Sequence, residues 1–319
     1  MNTNDKKKVF ITGAAGFVGA TLTKYLVYKK YRVHILIKKE SNLWRLTDVK
    51  TKIHPHFGNL SNFKNLKRLL QEINPNYIFH LAAHGTYPFQ TNADEMIKTN
   101  ILGTYNLLEA TKDILYECFI NVGSSSEYGF KNKPMKETDL IKPVSFYAAT
   151  KASATLMCQV FSQQFNKPII TFRLFSVYGP YEESTRLIPV AIKAALRKKV
   201  LKLTAGKQRR DFIYIDDVTQ AFRKAMIEKN INGEIFNIGT GKQYTNLKIA
   251  RVIQKCSSHE LKIDIGGFQP RSWDTNFWVA NISKTKSLLN WEPKYTLEEG
   301  LSKTYKWFSK NLNLYVQLF

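Results

Sequence analysis

The chain has 319 residues, 44% of them hydrophobic and 13% aromatic, enough to bury a sizeable core as one large or two modest domains. Its formal charge of +23 is scattered over basic clusters at 6–8, 29–30, 38–39, 197–199 and 209–210, a pattern of a solvated basic surface with no long basic block or aromatic-basic interleaving for nucleic acid. The polar start is no secretory signal, no apolar run is long enough to span a bilayer, and Cys118, Cys158 and Cys256 have no redox or metal spacing, so a reducing, cytoplasmic location is expected.

Residues 9–11 form the first expected strand, and Gly13-Ala14-Ala15-Gly16-Phe17-Val18-Gly19 leads from it into a helix at 17–28. Glycines at this spacing suit a tight turn, close backbone approach to a pyrophosphate and close helix–strand packing, while the helix N-terminus offers free N–H groups to the phosphates. A second strand at 33–37 ends in Lys38 and Lys39 rather than in the carboxylate that would bind the ribose hydroxyls of NAD. Cationic groups there favour the 2′-phosphate of NADP. His54 and His56 alternate on what reads as a strand, yet no Cys, His or carboxylate cluster joins them, and no metal site is expected.

Helices at 63–73, 96–111 and 147–165 then alternate with strands at 77–81, 119–122 and 169–174. The alternation specifies an α/β fold, a Rossmann-type doubly wound parallel sheet with helices on both faces. After Val177-Tyr178-Gly179-Pro180 the rhythm changes. A helix is expected at 187–196, a hairpin around Ala205-Gly206, a strand at 212–215, a helix at 245–256, a strand at 261–265, a Gly-, Pro- and Trp-rich loop at 266–278 and a last helix at 297–312. The expected organisation is a dinucleotide-binding domain over 1–177, to which about 212–240 return, and a smaller mixed α/β domain mainly over 178–319.

Tyr-x-x-x-Lys occurs at Tyr25/Lys29, Tyr147/Lys151 and Tyr244/Lys248. Order and context select Tyr147/Lys151, which opens a helix after a strand that ends in Ser124. On a helix the two side chains share one face, one turn apart. The ammonium, together with a positive nicotinamide, stabilises phenolate and lowers a tyrosine from its usual value of about 10. Tyr147 then moves a proton while hydride moves to or from carbon, and Ser124 hydrogen-bonds the same substrate oxygen.

With these pieces in place, the chain resembles the extended short-chain dehydrogenase/reductases, in the branch that modifies nucleotide sugars, over nearly its whole length. Further matching pieces are His80-Leu81-Ala82-Ala83, Asn100-Ile101-Leu102-Gly103-Thr104, Ser124-Ser125-Ser126-Glu127-Tyr128-Gly129, Arg173 with Val177-Tyr178-Gly179-Pro180, Arg210-Asp211-Phe212-Ile213-Tyr214-Ile215-Asp216-Asp217, and Pro270-Arg271-x-x-Asp274. The resemblance implies that Gly13, Gly16 and Gly19 line the pyrophosphate. It places Ala15, Phe17, Val18, Lys38, Asn59, Leu60, Leu81, Ala82, Ala83, Tyr147 and Lys151 along the rest of an NADP, with NAD as the alternative. It assigns His84, Gly85, Ser125, Ser126, Tyr178 and Leu203 to a nucleotide-diphosphate sugar, Arg210 and Arg271 to its diphosphate, and Asn100 to bracing the sheet. Two departures stand out: Asn59 replaces the usual acid at adenine, and Ser176 the usual asparagine. A homodimer packed through helices 96–111 and 147–165 is implied as well; neither a nucleic acid nor a membrane is an expected partner.

Within this branch 4,6-dehydratases carry an extra acid and base at or beside the position of Ser126, where this chain has the hydroxyls of Ser125 and Ser126; Glu127 stands one residue beyond. Two reactions at C4 of the hexose need only Ser124, Tyr147 and Lys151. A 4-epimerase works with tightly kept NAD, and a reductase of nucleotide-linked 4-keto-6-deoxy sugars works with exchangeable NADPH. Lys38 and Lys39 favour the reductase, as does the similarity of residues 203–212 and the Gly85 loop to CDP-paratose and CDP-abequose synthases. The NAD-dependent epimerase is the alternative, ahead of a dehydratase or a non-catalytic RNA-binding relative.

Overall fold

A computed structural model describes residues 6–87, 89–257, 260–269 and 275–316. Its central sheet holds β1 (Lys8–Thr12), β2 (Arg32–Ile37), β3 (Ile53–Phe57), β4 (Tyr77–His80), β5 (Cys118–Ser124), β6 (Ile169–Leu174) and β11 (Ile235–Ile238), all parallel, in the order β11-β6-β5-β4-β1-β2-β3. Three two-stranded pieces stand apart: β7 (Ser176–Tyr178) with β10 (Phe212–Tyr214), β8 (Leu201–Leu203) with β13 (Ile263–Ile265), and β9 (Arg209–Arg210) with β12 (Tyr244–Thr245). Strand order reverses between β1 and β4, so their C-terminal ends open a crevice where doubly wound sheets take ligands.

The inner strands are buried almost throughout, because helices cover both faces of a parallel sheet. Alternation then sorts the side chains. Val9 and Ile11 pack with Leu22 and Leu26 of α1 (Phe17–Tyr28) and with Phe222 of α7 (Ile215–Ala225). Phe10, between them, points the other way, to Leu66 and Leu70 of α2 (Phe63–Ile73), Leu107 of α4 (Gly103–Thr111) and Phe161 of α5 (Phe146–Phe165). The α1 face continues without a break into α6 (Leu187–Leu196), α8 (Asn246–Cys256) and α10 (Leu297–Asn311), through Ile188, Ile249 and Leu301. Three short α-helices, α3 (Ala93–Met96), α9 (Ser283–Leu289) and α11 (Asn313–Val316), and two 3₁₀ helices, Trp44–Lys52 and Ser125–Tyr128, are also present.

Two expectations need correction. No hairpin forms around Ala205-Gly206: β8 and β9 do not pair with each other, and each pairs with an equally short strand later in the chain, β13 and β12. The helix expected at 96–111 starts earlier, at Ala93, where Asn92 caps it by accepting from the Glu95 N–H at 3.2 Å. It also widens into a π-helical stretch over Ile97–Leu102 before resuming as α4.

Candidate active site

A cavity of about 1270 Å³ opens at the C-terminal ends of the inner strands. Gly13, Ala15, Gly16, Phe17, Val18, Lys38, Asn59, Leu60, Leu81, Ala82 and Ala83 line it, and so do Ser124, Tyr147, Lys151, His84, Gly85, Ser125, Ser126, Leu203 and Arg210. Tyr178 does not. Its ring is fully buried against Phe212 and Tyr214, and its hydroxyl reaches only the Leu297 carbonyl at 3.5 Å, so it belongs to the core that joins β7 to α10. Arg271 lies outside the described residues.

The glycine turn is shaped by close approach. Gly13 has φ +72°, and a Cβ there would come within 2.5 Å of the Leu81 and Ala82 backbone; one on Gly19 would sit 2.2 Å from the Gly13 carbonyl oxygen. Gly16 differs, since its Cβ would meet only the Gly13 carbonyl, at 3.3 Å, and otherwise open space. No side chain caps the first turn of α1 and no acid stands in it, so its N–H groups remain available to an anion. These features fit a dinucleotide pyrophosphate. Beyond β2, the Lys38 N–H donates to Ser41 Oγ at 3.1 Å, and both residues line the cavity. Asn59 turns its side-chain oxygen to the Ser61 N–H at 3.1 Å.

Beneath the cavity runs a buried polar chain. His80 Nδ1 lies 2.7 Å from Thr12 Oγ1 and its Nε2 2.9 Å from Thr104 Oγ1. Burial, and secondarily the Lys151 charge, depress His80 to about 3, so it is neutral. Asn100, in the π-helical stretch, accepts from the His84 N–H at 2.8 Å and donates to the His84 carbonyl and to Thr150 Oγ1, both at 2.9 Å. Rather than bracing the sheet, it ties the loop after β4 to the helix that carries Tyr147 and Lys151.

Ser145 caps α5, accepting from the Ala148 N–H at 3.2 Å, which places Tyr147 in the first turn and Lys151 one turn later. Ser124 ends β5 in a capping box with Glu127. Glu127 is wholly buried: its carboxylate accepts from the Ser124 N–H at 2.7 Å, Thr155 Oγ1 at 3.1 Å and Arg173 Nε at 2.7 Å. Burial pushes this carboxyl up, and the Arg173 charge and the Ser124 N–H oppose it. Glu127 is thus committed to Arg173 beneath Ser124 and does not line the cavity. Ser125 Oγ accepts from the Trp278 indole at 3.0 Å, and Arg210 lies over the same ring, 5.1 Å from its centroid.

Tyr147 departs from the expected lowering. Burial raises its hydroxyl above the usual value, while the neighbouring Thr86 and Ser124 hydroxyls act in the opposite sense. Burial likewise lowers Lys151, which is 2% exposed. The protein alone thus holds both groups nearer neutrality, in an environment where an added positive charge favours the phenolate strongly. Thr86, Trp278, Glu182 and Arg186 also line the cavity and escaped the sequence reading. The signal for the last two was adjacency to Val177-Tyr178-Gly179-Pro180; nothing in spacing marked Thr86 or Trp278.

The model of the NAD dependent epimerase/dehydratase family matches residues 9–239. The chain belongs to that family. Among its members, a UDP-glucuronate 4-epimerase of Thermodesulfobacterium geofontis is 31% identical over 317 residues, covering 95% of this chain and 97% of the relative. The solved UDP-glucuronic acid 4-epimerase of Bacillus cereus, in complex with UDP-glucuronic acid and NAD, superposes with a TM-score of 0.84 at 31% identity, over 95% of this chain and 99% of that one. A dTDP-glucose 4,6-dehydratase from Bacillus anthracis, in complex with NAD, gives 0.85 at 26% identity, over 98% and 100%. The chain is thus an enzyme of the NAD-dependent epimerase/dehydratase family, whose similar members act on nucleotide sugars. Among the described residues no helix is long and apolar enough to cross a membrane, and no group of His, Cys, Asp and Glu could hold a metal ion.

Proposed function

We propose that the chain is a 4-epimerase of a nucleotide-diphosphate hexose, working with a retained NAD. The supporting observation is chemical: Ser124, Tyr147 and Lys151 face one cavity, while beside Ser124 stand only the hydroxyls of Ser125 and Ser126, and Glu127 is committed to Arg173. Dehydration needs a proton taken and a proton given by further groups, and hydroxyls do this poorly. The similarity to UDP-glucuronate 4-epimerases supports the same reading and moves it away from the reductase that Lys38 first favoured.

The dinucleotide would supply hydride exchange at C4. Gly13, Gly16 and the first turn of α1 would hold its pyrophosphate, and Lys38, Asn59 and Leu60 would border the adenosine. Tyr147 would take the C4 hydroxyl proton and return it, Ser124 would hold that oxygen in line, and Lys151 would favour the phenolate form. Arg210, beside Trp278, would meet the diphosphate.

A second reading, NADPH-dependent reduction of a 4-keto-6-deoxy sugar nucleotide, draws on one observation: Lys38 and Ser41 line the cavity beyond β2, with no carboxylate at that strand end. One experiment separates the two. Purified protein is incubated with UDP-glucose, UDP-galactose or UDP-glucuronate without added dinucleotide and followed by proton NMR. Formation of the C4 epimer supports the epimerase; no epimer, with NADPH consumed on a 4-keto-6-deoxy sugar nucleotide, replaces it with the reductase.

A further inference from the structure

Arg45 stands in the 3₁₀ helix that follows β2, is buried and does not itself line the cavity. It nevertheless joins two of the cavity's walls. Its Nε donates to the Tyr181 carbonyl at 2.9 Å and its Nη2 to Glu183 Oε2 at 3.2 Å, both in the loop between β7 and α6. More loosely, its Nη1 donates to the Ala15 carbonyl of the glycine turn at 3.4 Å. Ala15 and Glu183 both line the cavity, so a single guanidinium ties the turn on one wall to the loop on another.

The loop it holds is strained. Tyr181 has φ +69°, in the left-handed region that a bulky residue rarely enters and keeps only where its surroundings fix it. Those surroundings come largely from the first half of the chain. The Lys24 ammonium of α1 lies over the Tyr181 ring, 3.7 Å from its centroid, and the Trp44 ring stands 5.8 Å from it. Lys24 is paired in turn with Asp48 at 2.9 Å, in the same 3₁₀ helix as Arg45. Moving the loop away from the glycine turn must break the Arg45 bonds on one side or the other.

We propose that Arg45 is a positioning residue: by latching the loop after β7 to the glycine turn, it sets how slowly a bound dinucleotide leaves. The inference rests on the pyrophosphate seat proposed at Gly13 and Gly16, and it adds a residue that has no place in the seat itself. Arginine suits the role, because its rigid fork of donors holds a carboxylate and two carbonyls at once. Contacts that must break before a ligand departs act chiefly on its release. Slow release is what an enzyme with a retained dinucleotide requires.

Cofactor exchange tests it. Protein loaded with NAD, or with NADP where that binds more tightly, is mixed with an excess of the same dinucleotide labelled with deuterium, and the bound form is followed over time by mass spectrometry. Arg45→Met, which keeps an unbranched stem and removes every donor, should exchange about tenfold faster than the wild type. Glu183→Gln leaves the Ala15 bond in place and weakens only the loop side; it should exchange about threefold faster, and it carries the test alone should Arg45→Met not fold. Melting temperatures recorded alongside separate the latch from a purely structural role, which would lower melting without moving exchange. Exchange at the wild-type rate in either folded variant overturns the latch, since acceleration confined to Arg45→Met would mean that the turn is propped and the loop plays no part. Wild-type protein that binds neither NAD nor NADP overturns the dinucleotide seat and the inference with it.

Discussion

Glu127 Oε2 and Arg173 Nε lie 2.7 Å apart, both shut off from solvent, directly under the serine that faces the cavity. The other carboxylate oxygen receives the Ser124 N–H, so the end of β5 is held by a charge pair rather than by packing alone. Removing one partner strands the other charge. Arg173→Leu is expected to lower unfolding free energy by about 3–5 kcal/mol in urea titrations, and the double variant Glu127→Leu/Arg173→Leu to lose less than the single one. A double variant less stable than either single would refute this account.

Tyr147→Phe removes only the hydroxyl proposed to exchange the C4 proton. Turnover should fall by roughly 10²–10⁴ while circular dichroism and dinucleotide binding stay as in the wild type. Full activity in that variant would exclude Tyr147 as the proton-transfer group.

Lys38 offers a direct reading of cofactor choice. If the cavity end beyond β2 meets a 2′-phosphate, Lys38→Asp should shift the ratio of NADPH to NADH dissociation constants by about tenfold towards NADH. A ratio untouched by the change would mean that this lysine is a surface cation with no part in discrimination.

His34 is 6% exposed, stacked between the rings of His54 and His56, with Nδ1 2.9 Å from His56 Nε2. Burial, and then the charges of His54 and His56, with Arg32 and Lys8 beyond, hold it down to about 4. Its folded value lies below the unfolded one of about 6.5, so between these the unfolded chain binds a proton that the folded protein refuses. Stability from this group is complete above pH 6.5 and is lost as pH falls towards 4, by up to about 3 kcal/mol. Urea midpoints measured from pH 7 to 4.5 should show the decline, and His34→Phe should flatten it.

What the sequence disclosed was what short stretches encode. The glycine turn, the strand before it and the Tyr147/Lys151 helix follow from local spacing, and the parallel sheet follows from their alternation. The rest depends on distant partners. Trp278 meets Ser125 across 153 positions, and Asn100 reaches Thr150 across 50, neither marked by any periodicity. Tyr178 misled for a related reason: its motif lies beside the cavity, but the backbone of β7 turns that ring into the core. β8 and β9 also found partners far along the chain, where proximity in sequence had pointed to each other.

β11 closes one edge of the sheet, and its Asn237 accepts the Tyr128 hydroxyl at 2.7 Å and donates from its backbone to Glu137 at 2.8 Å. Ser124 and Tyr147 leave the ribosome long before Asn237 does. During synthesis β6 remains an open edge able to pair with other strands, and the loop after β5 lacks one of its fixed points, until the chain has grown past residue 238. The proposed site is thus encoded early and assembled late, and a nascent chain stalled midway would carry Ser124 and Tyr147 without the framework that sets them.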